Sequence, residues 1–212
     1  MGELYRYNQA NQDELIAAIA ARLQKGELGV LPTDTVYGIA ALVSYPDAVD
    51  RIFSIKKRSA EQKLPWLLAD IEDLESYALD IPDYAFVLAQ QFFPGALSLV
   101  LRAKPHIHQK LLQEDQSLAF RIPDANFVRQ IIRASGFPLA CTSANTHGKP
   151  SATSFEDLEA RICDHADFVV DGGLSHHQQA STIVSCLNDR PEFLRIGAIS
   201  KEEILSALDV HE

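Results

Sequence analysis

Arg121 stands between Phe120 and Ile122, and Arg195 between Leu194 and Ile196, each inside an apolar run where a permanent charge is costly. Side chains alternate along a strand, so each arginine points away from its two apolar neighbours. Lys56-Lys57-Arg58 closes a stretch of helical spacing, with Gln62 and Lys63 just beyond it. Hydroxyls and amides gather elsewhere: Pro32-Thr33-Asp34-Thr35-Val36-Tyr37-Gly38, then Thr142-Ser143-Ala144-Asn145 directly after the apolar run 137–141, then Ser151 and Thr153. Such groups suit the holding of carboxylates and phosphates, a chemistry of positioning and charge neutralisation. Each has a plainer reading alone: Thr35 finishing a strand hydrogen bond, Lys57 on a solvated helix face, an in-strand arginine paired with a carboxylate at the core edge.

Several sharper chemistries fail on the residues. Gly148-Lys149 looks like the end of a phosphate loop, but the fifth residue before Gly148 is Ser143, and Pro150 removes an N–H where one is needed. No Ser/His/Asp set or metal cluster stands out. His176-His177 is a tempting metal pair, yet adjacent histidines on a loop are expected to point apart. Cys141, inside an apolar run, reads as a small core residue rather than a nucleophile, and Trp66 likewise reads as core.

Positioning these groups takes an alternating series of elements. Asn11 to Glu14 predicts an N-cap, continued by Leu15, Ile19 and Leu23 and closed by Gly26. Strands are predicted over 28–31 and 36–43, on either side of the Thr33-Asp34-Thr35 elbow, and a helix from 46 to about 58. Further strands are predicted at 64–68, 97–101, 117–122, 137–141, 168–171, 181–184 and 193–195. Helices are predicted over 71–79, 82–93, 125–134 and 155–163, and Ser200-x-x-Glu203 caps a last one. The alternation predicts an α/β fold, a single domain with a twisted mixed β-sheet flanked by helices. In such a sheet, ligands collect where loops leave strand ends.

Composition narrows the class further. With 47% hydrophobic and 23% charged residues and no apolar run near the ~18 residues of a membrane span, the chain reads as globular and not a membrane protein. An odd set of three cysteines without Cys-x-x-Cys spacing, and a start without signal-peptide features, predict a reducing, cytoplasmic setting. The net charge of −10 repels polyanions at long range, so contact with nucleotide or RNA must rest on a local basic patch.

The order of motifs resembles the YrdC/YciO-like family, whose characterised members are threonylcarbamoyl-AMP synthases. The resemblance runs from about Val30 to Gly197 and is carried by Pro-Thr-Asp-Thr-Val-Tyr-Gly, Lys56-x-Arg58, Phe-Pro-Gly at Gly95, Arg-Ile-Pro at Arg121, Ser143-Ala-Asn145 with Gly-Lys-Pro-Ser, and Ser-Thr-Ile-Val from Ser181. It implies one YrdC-like domain over 1–212 with a motif-bearing core of about 30–197 and no additional C-terminal domain. It also implies a nucleotidyltransferase that converts L-threonine, bicarbonate or CO2, and ATP to threonylcarbamoyl-adenylate and pyrophosphate for tRNA modification. By the same resemblance Thr35, Arg121, Ser143 and Ser181 match positions that hold threonine, with Arg121 taking its carboxylate. Lys56, Arg58, Gln62, Ser117, Asn145, Thr153 and Arg195 match positions facing ATP, Lys56 and Arg58 being the catalytic pair. Mg2+ is then held mainly by the ATP phosphates. Implied partners are the tRNA-modification proteins that receive the adenylate, with contact to tRNA or double-stranded RNA also open. Ser59, Lys63, Leu67, His147, Ala180 and Ile196 depart from the family pattern. The alternative reading is a non-catalytic YciO-like RNA-binding or ribosome-associated module.

Overall fold

Leu15, Ile19 and Leu23 recur every fourth residue and are buried together, so their segment forms helix α1 (Gln12–Leu23) with one apolar stripe. Its entry differs from the expected cap. Asn11 makes no side-chain cap bond in α1; instead Asn8 and Asn11 cap each other across a short 3-10 turn, with Asn11 Oδ1 accepting from the Asn8 amide at 2.9 Å. Helix α2 (Pro46–Lys56) ends where Lys57 turns to φ 53°, and the Arg58 amide returns to the Phe53 carbonyl at 3.0 Å. That reversal leaves Lys56 buried, Lys57 exposed and Arg58 half-buried. Residues 2–59 and 61–209 are described by the computed structural model, and the expected domain limits at Met1 and Glu212 lie outside them.

The remaining elements are β1 (Glu3–Arg6), β2 (Gly29–Leu31), β3 (Gly38–Leu42), β4 (Trp66–Leu67), α3 (Asp73–Tyr77), β5 (Ala78–Leu79), α4 (Asp83–Phe92), β6 (Leu97–Ala103), β7 (Ser117–Arg121), α5 (Asn126–Ser135), β8 (Leu139–Ser143), α6 (Ala160–His165), β9 (Phe168–Asp171), β10 (Thr182–Ser185), β11 (Glu192–Arg195) and α7 (Lys201–Asp209). Among the described residues the strands form one sheet in the order β1-β9-β2-β3-β8-β4-β7-β6-β10-β11, with β5 on β6. Pairing is mixed: β9 runs parallel to β1 and β2, β4 to β7 and β10 to β6, while β3–β8 and β6–β7 are antiparallel. Strands β1 and β5 were not expected from the pattern, because each is short and half-exposed. Helix α6 starts five residues later than predicted. The Asp157 carboxylate accepts the Ser154 amide at 3.0 Å and both neighbouring hydroxyls, closing a local turn where the helix would have begun.

Strand β3 is buried from end to end because both faces of the sheet are covered there. Ile39 and Ala41 join one core with Trp66, Leu99, Phe120 and residues of α2, α4, α6 and α7. Ala40 and Leu42 join the other, with Leu15, Ile19 and Leu23 of α1 and Phe127, Val128 and Ile131 of α5. The first core extends along the whole sheet. The second, among the described residues, reaches Leu67 and Cys141 and does not continue over β7, β6 and β10. Half of one sheet face is therefore left open, and that half carries Arg121, Ala119, Ser98, Val100 and Ile183. Among the described residues no helix is long and apolar enough to cross a membrane.

Candidate functional site

The open half-face is the floor of a cleft of about 450 Å³. Alternation explains its lining: Leu99 and Phe120 point into the core and pair in register, which turns Ser98 and Val100 of β6, and Ala119 and Arg121 of β7, to the other side. The β2–β3 loop adds Thr33, Thr35 and Val36, the segment after α2 adds Arg58, Gln62 and Lys63, β8 adds Cys141, Thr142 and Ser143, and β11 adds Arg195. A second, broader hollow of about 1110 Å³ adjoins it, sharing Glu61, Lys63, Val100, Gln113, Ala119 and Leu194 and ending at Ser117 and Ser185. The two make one groove across β7, from Arg121 to Ser117.

Arg121 anchors the deep end. Its Nε donates to Gly95 O at 2.9 Å, one terminal nitrogen to Thr35 Oγ1 at 2.8 Å and the other to Asp34 Oδ1 at 2.5 Å. A guanidinium has five N–H donors, so one remains on each terminal nitrogen. Asp34 was visible only as part of its motif; its pairing with Arg121, both side chains at most 8% exposed, emerges from the fold. Arg195 lies over Ser181, donating to its carbonyl at 2.8 and 3.0 Å and to its hydroxyl at 3.2 Å. Gly197 permits this approach, since a Cβ there would lie 2.1 Å from Ala180 O. Arg58 reaches Thr142 Oγ1 at 3.2 Å, and its Nε is buried without a partner. Among the described residues neither Arg58 nor Arg195 is ion-paired. Burial, then the charge of Arg195, lowers Arg58 below the usual arginine value. Burial, then the charge of Arg121, does the same to Arg195, whose guanidinium is sheltered although the residue as a whole is exposed. Four cations, Arg58, Lys63, Arg121 and Arg195, line the cleft against the Glu61 carboxylate, and Asp34 pairs with Arg121, so positive charge is in excess there and suits an anion.

Of the residues singled out in the sequence, Thr35, Arg58, Gln62, Arg121, Ser143, Ser181 and Arg195 meet on the cleft wall, and Ser117 lies in the adjoining hollow. Lys56 and Asn145 sit behind Ser143 rather than on the wall. Lys56 is 2% exposed; its Nζ donates to Ser143 O, to Asn145 O at 2.8 Å and to Asn145 Oδ1 at 3.0 Å. Burial, then the charge of Arg58, pulls its pKa down to about 8. Thr153 is turned away, its hydroxyl donating to Asp157 at 3.0 Å. Ser98 hydrogen-bonds Ser181 at 3.0 Å, and its place between buried Leu97 and Leu99 is the signal in the sequence that marks it. Cys141 lines the cleft, and burial pushes its thiol up to about 12, which disfavours the thiolate. The His176 and His177 rings do not point apart but stand edge to face, 4.9 Å between centroids. Among the described residues no three His, Cys, Asp or Glu side chains come together as a metal site.

Residues 21–197 match the Sua5/YciO/YrdC family, described as "Telomere recombination". The chain belongs to the Sua5/YciO/YrdC family. It is 39% identical over 200 residues to the threonylcarbamoyl-AMP synthase of Bacillus subtilis (strain 168), covering 92% of this chain and 57% of that protein. It is similar to the crystal structure of P. abyssi Sua5 complexed with L-threonine, with a TM-score of 0.88 at 31% identity over 98% of this chain and 60% of the other. It shares its fold with E. coli YciO, at a TM-score of 0.86 and 23% identity over 96% of this chain and 100% of that one. The chain thus spans about three-fifths of the length of the first two Sua5/YciO/YrdC relatives.

Proposed function

We propose that the cleft makes threonylcarbamoyl-adenylate and pyrophosphate from L-threonine, bicarbonate or CO2, and ATP, supplying the modification of adenosine in tRNA. The observation that carries this is the groove from Arg121 to Ser117 with Arg58 and Arg195 along it. Its ends are four residue steps apart along the strand, roughly 13 Å, long enough for an amino acid joined through a carbamate and a phosphate to a ribose. The carboxylate of threonine takes the two free N–H groups of Arg121, the phosphates lie against Arg58, Gln62 and Arg195, and the nucleoside extends toward Ser117. The carbamate formed on the amine displaces pyrophosphate from the α-phosphorus. This needs alignment and neutralisation of phosphate charge rather than a protein nucleophile. A magnesium ion carried by the triphosphate fits these residues: it needs few protein oxygens, and Asp34 Oδ2 is buried without a partner. When bound, that ion supplies charge neutralisation on the phosphates. The B. subtilis and P. abyssi relatives' names support the reading. Purified protein with threonine, bicarbonate and Mg-ATP is expected to release pyrophosphate in a threonine-dependent way; release that ignores threonine, or none, overturns it.

A further inference from the structure

We propose that Lys56 is a positioning residue that fixes the Ser143 hydroxyl as a hydrogen-bond acceptor toward the cleft, so that this wall receives an N–H or O–H group of the amino-acid substrate and not an anion. The amino acid's identity rests on the function proposed above; the hydrogen-bond directions do not.

The directions follow from counting protons. Asn145 Nδ2 donates to Lys149 O at 2.5 Å and Thr146 O at 3.2 Å, which leaves Asn145 Oδ1 to face Lys56 Nζ at 3.0 Å and Ser143 Oγ at 2.5 Å. The opposite amide orientation would set an NH2 against an ammonium and leave two carbonyls facing an oxygen. Asn145 Oδ1 is therefore only an acceptor, and the one Ser143 proton is directed to it. The Lys56 ammonium faces four acceptors, Ser143 O, Asn145 O at 2.8 Å, Asn145 Oδ1 at 3.0 Å and, more distantly, Ser143 Oγ at 3.5 Å, so its three protons are all engaged and none is left for a phosphate. The helix end adds a further tie, the Lys56 carbonyl accepting the His147 amide at 2.9 Å.

Across the cleft the same count gives Thr35 the same sign. Thr33 Oγ1 gives its proton to Val36 O at 2.6 Å, so in the 3.1 Å Thr33–Thr35 contact the proton is that of Thr35, whose oxygen also accepts from Arg121 at 2.8 Å. Ser98 and Ser181 differ. Their two hydroxyls share one contact at 3.0 Å, and Ser181 Oγ accepts from Arg195, so one proton of the pair stays available to a ligand. Donors thus cluster at Arg121, Ser98 and Ser181, and acceptors at Thr35 and Ser143. This is the polarity that orients a carboxylate one way and the amine or hydroxyl of the same molecule the other.

Binding of L-threonine and, separately, of ATP is measured by calorimetry for the wild type, Lys56→Met, Ser143→Ala and the double variant. Lys56→Met is expected to weaken threonine roughly 10- to 100-fold and ATP less than about threefold, with the double variant no worse than the worse single one. In steady state the KM for threonine rises by the same factor while kcat and the KM for ATP hold. A variant that weakens ATP as much as threonine, or single effects that multiply in the double variant, overturns the proposal. If Lys56→Met does not fold, Asn145→Ala, which removes the acceptor of the Ser143 proton, is expected to give the same split. Amide hydrogen exchange at 144–147 in the ligand-free protein is expected to quicken at least tenfold in Lys56→Met, and unchanged exchange counts against the proposal. A wild type that binds neither threonine nor ATP refutes the proposed function, while the exchange result still decides the role of Lys56.

Discussion

At the scale of residues, two cations of one cleft are held in opposite ways. Arg121 is paired with Asp34 at 2.5 Å, both nearly inaccessible to solvent, whereas Arg58 is half-buried with no paired carboxylate and its Nε–H is buried and unmatched. Removing one partner of a buried pair strands the other's charge, so Asp34→Asn is expected to destabilise the fold by about 3–5 kcal/mol in urea unfolding. Removing Arg58 relieves an unfavourable burial. Arg58→Ala is therefore expected to leave stability within about 1 kcal/mol while lowering kcat/KM by roughly 30- to 1,000-fold, about 2–4 kcal/mol of transition-state stabilisation. Equal losses of stability in the two variants would contradict this division. Sequence spacing identified both arginines, since an arginine flanked by apolar strand residues or following an apolar helix is conspicuous. It did not distinguish them, because Asp34 and Arg121 are 87 residues apart along the chain and only the sheet brings them together. The burial of Lys56 was not legible for the same reason: its oxygen partners belong to Ser143 and Asn145, beyond the reach of any local pattern.

At the scale of elements, the end of α2 decides what each basic residue can touch. Lys57 holds φ 53°, a left-handed conformation in which a Cβ is unfavourable, and its amide caps the carbonyls of Phe53 and Ser54. Lys57→Gly is expected to raise stability by about 0.5–1 kcal/mol, read as a higher urea midpoint at unchanged slope, with activity unaltered because Lys57 is not on the cleft wall. A drop in stability would mean that the lysine side chain, not its backbone, matters there. Long amphipathic elements were legible: α1 from Leu15, Ile19 and Leu23, and α7 from the reciprocal Ser200–Glu203 cap, whose amide bonds measure 2.8 and 3.2 Å. Elements set by distant partners were not. Strand β1 exists because β9 offers it a parallel edge, and 155–159 stays out of α6 because Asp157 closes its turn and Glu159 takes the Thr146 amide at 2.6 Å.

At the scale of the molecule, a net charge of −10 coexists with a cleft in which arginines repel one another. The fold tolerates this because its energy resides elsewhere: one core runs under the entire sheet and the second covers only half of the other face. The uncovered half is where the unpaired Arg58 and Arg195 are kept, and a bound anion would compensate them. Ligand that binds the folded state alone stabilises it by about 2.7 kcal/mol at a hundredfold excess over Kd. For a chain of this size that corresponds to a Tm increase of very roughly 5–11 °C. Pyrophosphate is therefore expected to raise the Tm of the wild type by several degrees, and of Arg58→Ala much less at the same concentration, because that variant lacks one of the cleft's two unpaired arginines. Sodium chloride at matched ionic strength is the control, since screening alone acts on the acidic surface as much as on the cleft. If pyrophosphate and sodium chloride shift the wild type equally, or if Arg58→Ala responds as fully as the wild type, the cleft is not an anion site that depends on its unpaired arginines.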